Sequence, residues 1–275
     1  MEEVLSVLTF NCWNVSPPFE ERVALTRAGI EELQPDLIGL QEIVVRSDGF
    51  DQGRLILQDL GYQWAFAPAF WWDEHGNVRP PGDDGIGFGN VVASRYPILR
   101  TESARLPGWE SGEGRSIVAA LVDAPYGPVV FACTHLNWKF HHGYVREAQA
   151  IAAWEFIQRF AGDVFLPPIL VGDLNADPDS TEVRFLCGLH ALESQSCYFQ
   201  DVWRVAGGGS AGMTWDNRNP FAATACEPDR RIDYILVGLA REGRGQIEDV
   251  RLAMTEARNG IYPSDHFGLI AYVRM

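Results

Sequence analysis

Cysteine is scarce in this sequence, and the few residues that occur show no pairing pattern. The five cysteines are Cys12, Cys133, Cys187, Cys197 and Cys226, an odd number without any C-x-x-C spacing. This pattern argues against a disulfide framework and against a structural zinc site. We therefore predict free thiols in a reducing compartment.

Long hydrophobic runs are also missing. No segment approaches the roughly 20 consecutive apolar residues that a membrane-spanning helix needs. The first residues, MEEVLSVLTFN, carry no basic region and pass directly into a strand pattern, which differs from a secretory signal peptide. These two absences predict a cytoplasmic protein without a membrane span.

Positive charge is the third deficit. The chain has 22 basic against 37 acidic residues, a net charge of −15, and Lys139 is its only lysine. Binding to nucleic acid depends heavily on neutralising phosphates, so this balance argues against a broad nucleic-acid-coating surface. A local site is still compatible with it, because bound metal ions reverse the charge where they bind.

The remaining composition is that of an ordinary globular protein. At 275 residues and 47% hydrophobic content, we expect residues 1–275 to form a single domain. Hydrophobic periodicity predicts helices over Glu20–Leu33, Arg54–Leu60 and Gly143–Phe160. Short apolar runs bounded by glycine and proline predict strands over Val4–Phe10, Leu37–Leu40, Tyr62–Ala67, Gly89–Ser94, Ile117–Val122, Pro128–Thr134, Ile169–Val171, Ile232–Val237, Val250–Met254 and Gly268–Val273. Helices that lie between strands indicate an α/β fold with mixed sheets and helices outside.

Polar residues recur at the ends of these apolar runs. They are Asn11, Glu42, His135, Asp173 with Asn175, and Asp265 with His266, while Asp233 lies inside an otherwise apolar strand. Each residue alone also fits a turn, a helix cap or an ion pair. Ligand sites of α/β sheets collect at strand ends, however, and a buried acid such as Asp233 needs a partner. Together the residues predict a polar site at one edge of the sheets.

The order of these segments resembles the endonuclease/exonuclease/phosphatase superfamily of metal-dependent phosphoesterases. The resemblance runs from Asn11 to Gly268 through the pieces TFN, LIGLQE, GNVVASRYPI, THL, VGDLNADP, RIDYIL and SDHFGL. It implies a DNase I-like fold, which is a four-layer α/β sandwich of two mixed β-sheets flanked by helices. The strand pattern of this chain agrees with that fold.

The resemblance also implies a metal site and a water-activating group. Glu42 would be the main protein ligand of Mg²⁺ or Mn²⁺, with Asn11 and Asp265 beside it, since hard cations take oxygen ligands. Asp173 would orient or deprotonate the attacking water. Asn175 would hold the phosphate or the nucleophile.

Two histidines and an arginine would complete the catalytic set. His266 would contact the phosphate and be oriented by Asp233, which fixes the tautomer and favours the charged imidazole. His135 would donate a hydrogen bond to a non-bridging phosphate oxygen. Arg115 is a candidate phosphate contact, although an exposed arginine at a strand end is an equal alternative.

Two departures from the motifs of other superfamily members indicate which branch of the superfamily this chain resembles. Trp13 stands where abasic-site endonucleases carry an acidic residue, and those enzymes tend to carry tyrosine at the position of His135. The tryptophan-and-cysteine signature of inositol 5-phosphatases is also missing. His135 fits the branch that contains DNase I, sphingomyelinases and the poly(A)-shortening deadenylases.

Two further stretches suggest residues at the mouth of the site. NWKFHHGYVR at 137–146 resembles deadenylase and 2′-phosphodiesterase relatives, and MTWDNRN at 213–219 resembles tyrosyl-DNA phosphodiesterase relatives. They would place Trp138, Trp215 and Asn219 where substrate binds, with core packing as the alternative for both tryptophans. Phe70, Trp71 and Trp72 precede a polar segment at 73–85; they could stack on a base, touch lipid or pack under the sheet.

The sequence as a whole therefore predicts a Mg²⁺-dependent phosphodiesterase or nuclease that acts on a nucleic-acid end or a nucleotide-like diester. Three alternatives stay open. A lipid phosphodiesterase of the sphingomyelinase kind and a small-molecule phosphatase would use the same residues. A catalytically silent binding protein on this fold would have lost some of them, and the sequence retains the whole set.

Overall fold

The computed structural model describes residues 4–73, 78–79 and 85–275. Its strands are β1 (Val4–Asn11), β2 (Leu37–Arg46), β3 (Gln63–Trp72), β4 (Val78–Arg79), β5 (Ile86–Ser94), β6 (Ile98–Arg105), β7 (Ser116–Ala124), β8 (Gly127–His135), β9 (Ile169–Asp173), β10 (Phe199–Asp201), β11 (Asp233–Gly238), β12 (Gln246–Ala253) and β13 (Gly268–Arg274). Its helices are α1 (Phe19–Leu33), α2 (Gln52–Leu57), α3 (Gly143–Ala161), α4 (Thr181–Leu186), α5 (Val202–Ala206) and α6 (Pro220–Ala223), with a 3₁₀ turn at Trp109–Ser111.

The strands form two sheets. One has seven strands in the order β12-β13-β1-β2-β5-β3-β4, and the other has six in the order β10-β11-β9-β8-β7-β6. Within the described residues each sheet contains one parallel pair, β1 with β2 and β8 with β9, and its other neighbours are antiparallel. Both sheets are therefore mixed, as predicted.

The two sheets pack face to face across an apolar core. Leu37 and Val92 of the first sheet belong to the same buried cluster as Phe131 and Val171 of the second. The approach is closest at Gly39, where an added Cβ would lie 2.2 Å from Val171 Cγ2. Glycine is needed there because any side chain would force the sheets apart.

Helices cover the outer faces. Ile30 of α1 and Ile56 of α2 join the buried cluster on the outer face of the seven-stranded sheet. Phe156 and Phe160 of α3 join the cluster on the outer face of the six-stranded sheet. The order helix, sheet, sheet, helix confirms the predicted four-layer sandwich.

The strand connections bring the predicted polar residues to one edge. In the first sheet, Asn11 pairs with Gln41 at the ends of the parallel strands β1 and β2. In the second, Asp173 pairs with both His135 and Asp233, where β8 and β9 end and β11 begins. Parallel strands end together, so a short polar segment after each one is enough to assemble a site.

Several boundaries differ from the prediction. Strand β2 does not stop at Leu40 but continues to Arg46 through a bulge between Leu40 and Ile43. Strand β11 begins at Asp233 itself. Strand β6 was missed because its sequence, ILRTESAR, is mostly exposed and lacks an apolar alternation; pairing with β7 holds it at the sheet edge. Phe70, Trp71 and Trp72 lie in β3 rather than between strands.

Two remaining sequence features bear on the fold. Residues 74–77 and 80–84 of the polar segment after Trp72 lie outside the described residues. The helices that are described include none with the length and apolarity to span a bilayer.

Candidate active site

A cavity of about 380 Å³ opens at the edge where these strand ends meet. Most of the predicted site residues line it: Glu42, Arg115, His135, Trp138, Asp173, Asn175, Trp215, Asp265 and His266. Asn11, Asp233 and Asn219 do not line the cavity; they hydrogen-bond to lining residues or to the backbone that carries them. The predicted residues therefore lie together in the structure, nine of them at the cavity surface and three behind it.

Glu42 owes its orientation to the bulge in β2. Its backbone has φ of 58°, a left-handed conformation that is costly for a residue other than glycine. The bulge directs the side chain into the cavity. Asn11 Nδ2 donates to one carboxylate oxygen of Glu42 at 3.2 Å, and Asn14 Nδ2 donates to the other at 2.8 Å.

Glu42 and Asp265 form the part of the cavity that fits a hard cation. The pKa of Asp265 is raised to about 7, mainly by burial and in part by the Glu42 carboxylate, against the opposing effect of His266. Two carboxylates that repel each other across a cavity offer the oxygen ligands that Mg²⁺ and Mn²⁺ prefer, and a bound cation would relieve the repulsion. The donor set thus fits the predicted metal.

Asn11 connects the predicted ligand to the predicted base. Its Nδ2 also donates to Asp173 Oδ2 at 3.0 Å, while its Oδ1 accepts from the backbone N–H of Trp13 at 2.9 Å. One of the two lone pairs of the oxygen that would ligate a metal is therefore already engaged. In this arrangement Asn11 positions Glu42 and Asp173 relative to each other.

Asp173 is buried and has the properties of a general base. Its pKa is raised to about 7, mainly by burial and in part by the neighbouring Asp233, against the opposing effect of His266. The backbone N–H of Asn175 donates to Asp173 Oδ1 at 2.8 Å and fixes the carboxylate. A carboxylate with a pKa near 7 can accept a proton from water at neutral pH more readily than an ordinary aspartate.

Asn175 and His135 form a second hydrogen-bonded pair. Asn175 has φ of 50°, and its Nδ2 lies 2.9 Å from His135 Nε2 and 3.2 Å from the Leu136 carbonyl oxygen. Burial, Arg115 and His266 together lower the pKa of His135 well below its usual value, so its imidazole is neutral. Because Nε2 accepts from Asn175, the proton is assigned to Nδ1, which is buried without a partner among the described residues. This N–H is therefore a hydrogen-bond donor that the described residues leave unused.

His266 and Asp233 form an Asp–His pair. Asp233 is fully buried, and its Oδ2 lies 2.9 Å from His266 Nδ1. Burial lowers the pKa of His266, but Asp233, Asp173 and Asp265 outweigh it and raise the pKa well above its usual value. The imidazole is therefore charged, and its Nε2 lies 3.8 Å from Asp173 Oδ2.

Asp173, Asp233 and His266 also lie close enough together to be considered as a metal site. One ligand atom from each falls within 4.8 Å of the others. However, Asp233 Oδ2 and His266 Nδ1 already share a hydrogen bond, and a protonated imidazole has no lone pair for a metal. Glu42 and Asp265 fit a cation better.

Arg115 lines the cavity together with Glu113, a residue that the sequence analysis missed. The Arg115 Nη2 contacts the Glu113 carboxylate, and both side chains are largely buried. Arg115 is therefore not the exposed strand-end residue that was the alternative. Glu113 gave no sequence signal, because its place depends on how the turn before β7 folds back over the sheet.

Aromatic rings form much of the remaining wall. Phe70 stacks on Phe88 with ring centroids 4.9 Å apart, and Trp72 meets Phe70 edge-on at 4.8 Å. Trp138 also lines the cavity and is 53% exposed, whereas Trp215 is buried with its ring 5.0 Å from His266. Trp138 is thus available to a substrate, and Trp215 supports the imidazole.

Asn219 holds the backbone rather than lining the cavity. Its Nδ2 donates to the Ser264 carbonyl oxygen at 2.7 Å, and its Oδ1 accepts from the Phe221 backbone N–H at 3.1 Å. Both ends of the amide are therefore used. Its contact with Ser264 fixes the segment that carries Asp265 and His266.

Comparison with known proteins identifies relatives of the whole chain. Residues 8–266 match the family described as the Endonuclease/Exonuclease/phosphatase family. No functionally curated protein matches the sequence.

Solved structures with the same fold match nearly the whole length of this chain. The human Nocturnin catalytic domain with bound sulfate is 21% identical with a TM-score of 0.72, covering 98% of this chain and 93% of that one. An endonuclease/exonuclease/phosphatase protein from Beutenbergia cavernae is 24% identical with a TM-score of 0.73, covering 99% and 72%. D. rerio TDP2 complexed with a single-strand DNA product is 19% identical with a TM-score of 0.72, covering 100% of both chains. At these identities the likeness establishes the fold.

Proposed function

This chain belongs to the endonuclease/exonuclease/phosphatase family of phosphoesterases, and we propose that it hydrolyses phosphodiesters with the help of Mg²⁺ or Mn²⁺. One observation carries the proposal. Two carboxylates that could hold a cation, Glu42 and Asp265, line the same cavity as the buried Asp173, which would be the base, and the charged His266. Hydrolysis of a phosphoester by water needs these three functions.

The activation of water falls to Asp173. Its raised pKa suits it to accept the proton of a water molecule that attacks phosphorus. Asn11 Nδ2 and the Asn175 backbone N–H hold its two oxygens, so the carboxylate keeps one orientation. Asn175 would hold the phosphate or the attacking water beside it.

The stabilisation of the phosphoryl oxygens falls to donors around the cavity. His266 would donate from Nε2 as an imidazolium, because Asp233 accepts its Nδ1–H. His135 would donate from Nδ1, and Arg115 from the Nε and Nη1 groups that have no partner among the described residues. When bound, Mg²⁺ or Mn²⁺ supplies Lewis-acid stabilisation of charge on phosphoryl oxygen.

A nucleic-acid end or a nucleotide-like diester is the proposed substrate class. The exposed Trp138 and the Phe70–Trp72 rings offer surfaces on which a base can stack. The complex of D. rerio TDP2 with a single-strand DNA product is a precedent on the same fold. A cytoplasmic location is part of the same proposal, because all five cysteines are free thiols, as is usual in a reducing compartment.

The first experiment compares a generic aryl phosphodiester with the matching aryl monoester. Each is assayed with Mg²⁺, with Mn²⁺ and with a chelator, on the wild type and on Asp173→Asn. The control is Asp36→Asn, which removes a carboxylate that bonds Ser6 and Tyr96 outside the site. We expect chelator-sensitive diester cleavage that Asp173→Asn abolishes and Asp36→Asn retains.

The other outcomes separate the alternatives. A preference for the monoester would indicate a small-molecule phosphatase. Cleavage of phosphocholine lipids in preference to oligonucleotides would indicate the sphingomyelinase-like activity. Failure to cleave either ester, with no heat of Mg²⁺ binding by calorimetry, would indicate a catalytically silent binding protein.

A further inference from the structure

Glu113 and Arg115 form an ion pair inside the active-site cavity. The two residues follow the 3₁₀ turn at Trp109–Ser111 and immediately precede β7. Arg115 is 4% exposed and Glu113 11% exposed, and both side chains line the cavity. The pair is thus built into the wall next to the catalytic residues.

The backbone that carries the pair is held firmly. A Cβ at Gly114 would lie 2.1 Å from Trp109 Cζ3, so this ring packs directly on the glycine between the two residues. The Lys139 Nζ donates to the Ser111 carbonyl oxygen at 3.0 Å and ties the preceding turn to the segment after β8. A charged pair held in this way keeps its place when a substrate enters.

The ion pair leaves hydrogen-bonding groups unused. Arg115 Nε and Nη1 and Glu113 Oε2 are buried, and none has a partner among the described residues. Buried polar groups without partners are costly, and at a cavity wall a ligand can satisfy them. Phosphoryl oxygens would accept from Arg115, while a hydroxyl or amino group of the ligand would donate to Glu113.

The charge balance of the wall determines which ligands fit. Glu113 neutralises the guanidinium of Arg115, so that Arg115 offers hydrogen bonds without an excess positive charge. The other acidic residues that line the cavity are Glu42, Asp173, Glu227 and Asp265. One divalent cation at Glu42 and Asp265 would offset those two, and the charged His266 is already paired with Asp233. No cation among the described lining residues is left for a second phosphate.

We propose that Glu113 determines substrate specificity: paired with Arg115, it admits a phosphodiester with uncharged neighbouring groups and rejects one that bears a second phosphate beside the reactive one. This inference rests on the proposed function and narrows its substrate class. A nucleotide diester with free terminal hydroxyls fits, because a sugar hydroxyl can donate to Glu113. A diester with a terminal phosphate would place like charges together in a partly dehydrated cavity. At separations of a few ångströms such repulsion weakens kcat/KM on the order of tenfold to a hundredfold.

The test measures kcat/KM for three probes: a dinucleoside monophosphate, the same molecule with a 5′-terminal phosphate, and the same molecule with a 3′-terminal phosphate. The variants are wild type, Glu113→Gln and the matched control Glu110→Gln. Glu110 lies in the neighbouring 3₁₀ turn, is exposed and does not line the cavity. We expect the wild type and Glu110→Gln to disfavour at least one phosphorylated probe by tenfold or more. Glu113→Gln should reduce that discrimination at least fivefold, and the discrimination of the wild type should weaken as salt is added.

Two outcomes overturn the inference. Equal discrimination in Glu113→Gln and wild type would show that Glu113 does not select against phosphate. An equal loss of kcat/KM for all three probes would show that Glu113 only supports the fold.

Binding measurements separate this failure from failure of the proposed function. The dissociation constants of the three probes are measured in the Asp173→Asn background, with and without Glu113→Gln. If the wild type hydrolyses no probe but Glu113→Gln still relaxes discrimination in binding, the proposed catalysis is wrong and the selectivity stands. If binding discrimination is unchanged, the selectivity is wrong whatever the activity.

Discussion

Replacement of Asp233 by asparagine should move the whole pH–rate profile to lower pH. Asp233 does not line the cavity, so it acts on substrate indirectly, through Asp173 and above all through His266, whose Nδ1 lies 2.9 Å from its Oδ2. Asparagine keeps the shape and a hydrogen bond but removes the charge. That charge raises the pKa of His266 and also the pKa of Asp173. Both pKa values should therefore fall together.

The magnitude follows from the contact. A hydrogen bond to a charged group contributes about 1.5–3 kcal/mol, and one pKa unit corresponds to about 1.4 kcal/mol. The pKa of His266 should fall by roughly one to two units. The pKa of Asp173 should fall by less, because burial contributes more to its shift than Asp233 does. At a pH above the new pKa of His266, the imidazolium is lost and kcat/KM should fall by about tenfold to a hundredfold.

The assay is the pH dependence of kcat/KM for the aryl phosphodiester at saturating Mg²⁺. Mg²⁺ affinity should stay within about twofold of wild type, because Glu42 and Asp265 remain, and Asp36→Asn should leave the profile in place. Because the titrations of His266 and Asp173 interact, the two limbs of the pH–rate profile give pKa values of the coupled pair rather than of either residue alone. A profile that keeps its position while its height falls would refute the electrostatic role of Asp233, as would a shift to higher pH.

Three further predictions concern the metal, the protons and the sheets. Glu42→Gln should weaken Mg²⁺ binding by at least tenfold in calorimetry while the metal-free melting temperature changes little; undiminished binding would rule out Glu42 as the main ligand. The pKa values of Asp173 and Asp265 are raised to about 7 in the folded protein from 3.8, so folding without metal is favoured as protons bind. The metal-free unfolding free energy in urea should rise by up to about 1.4 kcal/mol per pH unit and group as pH falls from about 7 towards 3.8, is fully raised below 3.8, and loses this gain as pH rises back to 7. A flat curve would contradict the shifts, and saturating Mg²⁺ should remove the Asp265 contribution. Gly39→Ala would place a Cβ 2.2 Å from Val171 Cγ2, so it should cost about 1–3 kcal/mol of stability and lower kcat. An unchanged melting temperature would show that the two sheets can move apart at no cost.

The sequence predicted those parts of the site that depend on local pattern. Asp173 and His135 follow apolar runs that form buried strands, so the end of the run placed each residue at the sheet edge. Asp233 stood out because a buried acid needs a partner, and His266 is that partner. These signals are local in the sequence, so they can be recognised without knowledge of the rest of the fold.

The remaining parts depend on contacts that no local pattern records. Glu42 was placed after a strand that in fact continues through a bulge, since apolar residues resume at Ile43. Asn219 was assigned to substrate from a motif, but both ends of its amide are bonded to backbone. Glu113 and Asn14 contact Arg115 and Glu42 across turns whose course depends on tertiary packing.

The two sheets supply different parts of the proposed chemistry. Glu42 and Asp265 belong to the seven-stranded sheet and its connections, whereas Asp173 ends a strand of the six-stranded sheet. Hydrogen bonds cross between them, from Asn11 to Asp173 at 3.0 Å and from His266 to Asp233 at 2.9 Å. The distance between a bound cation and the water-activating carboxylate is therefore set by how closely the sheets pack. Because catalysis is sensitive to displacements of about an ångström, the apolar core between the sheets, rather than the cavity wall alone, determines whether the two halves of the site can act on one phosphate.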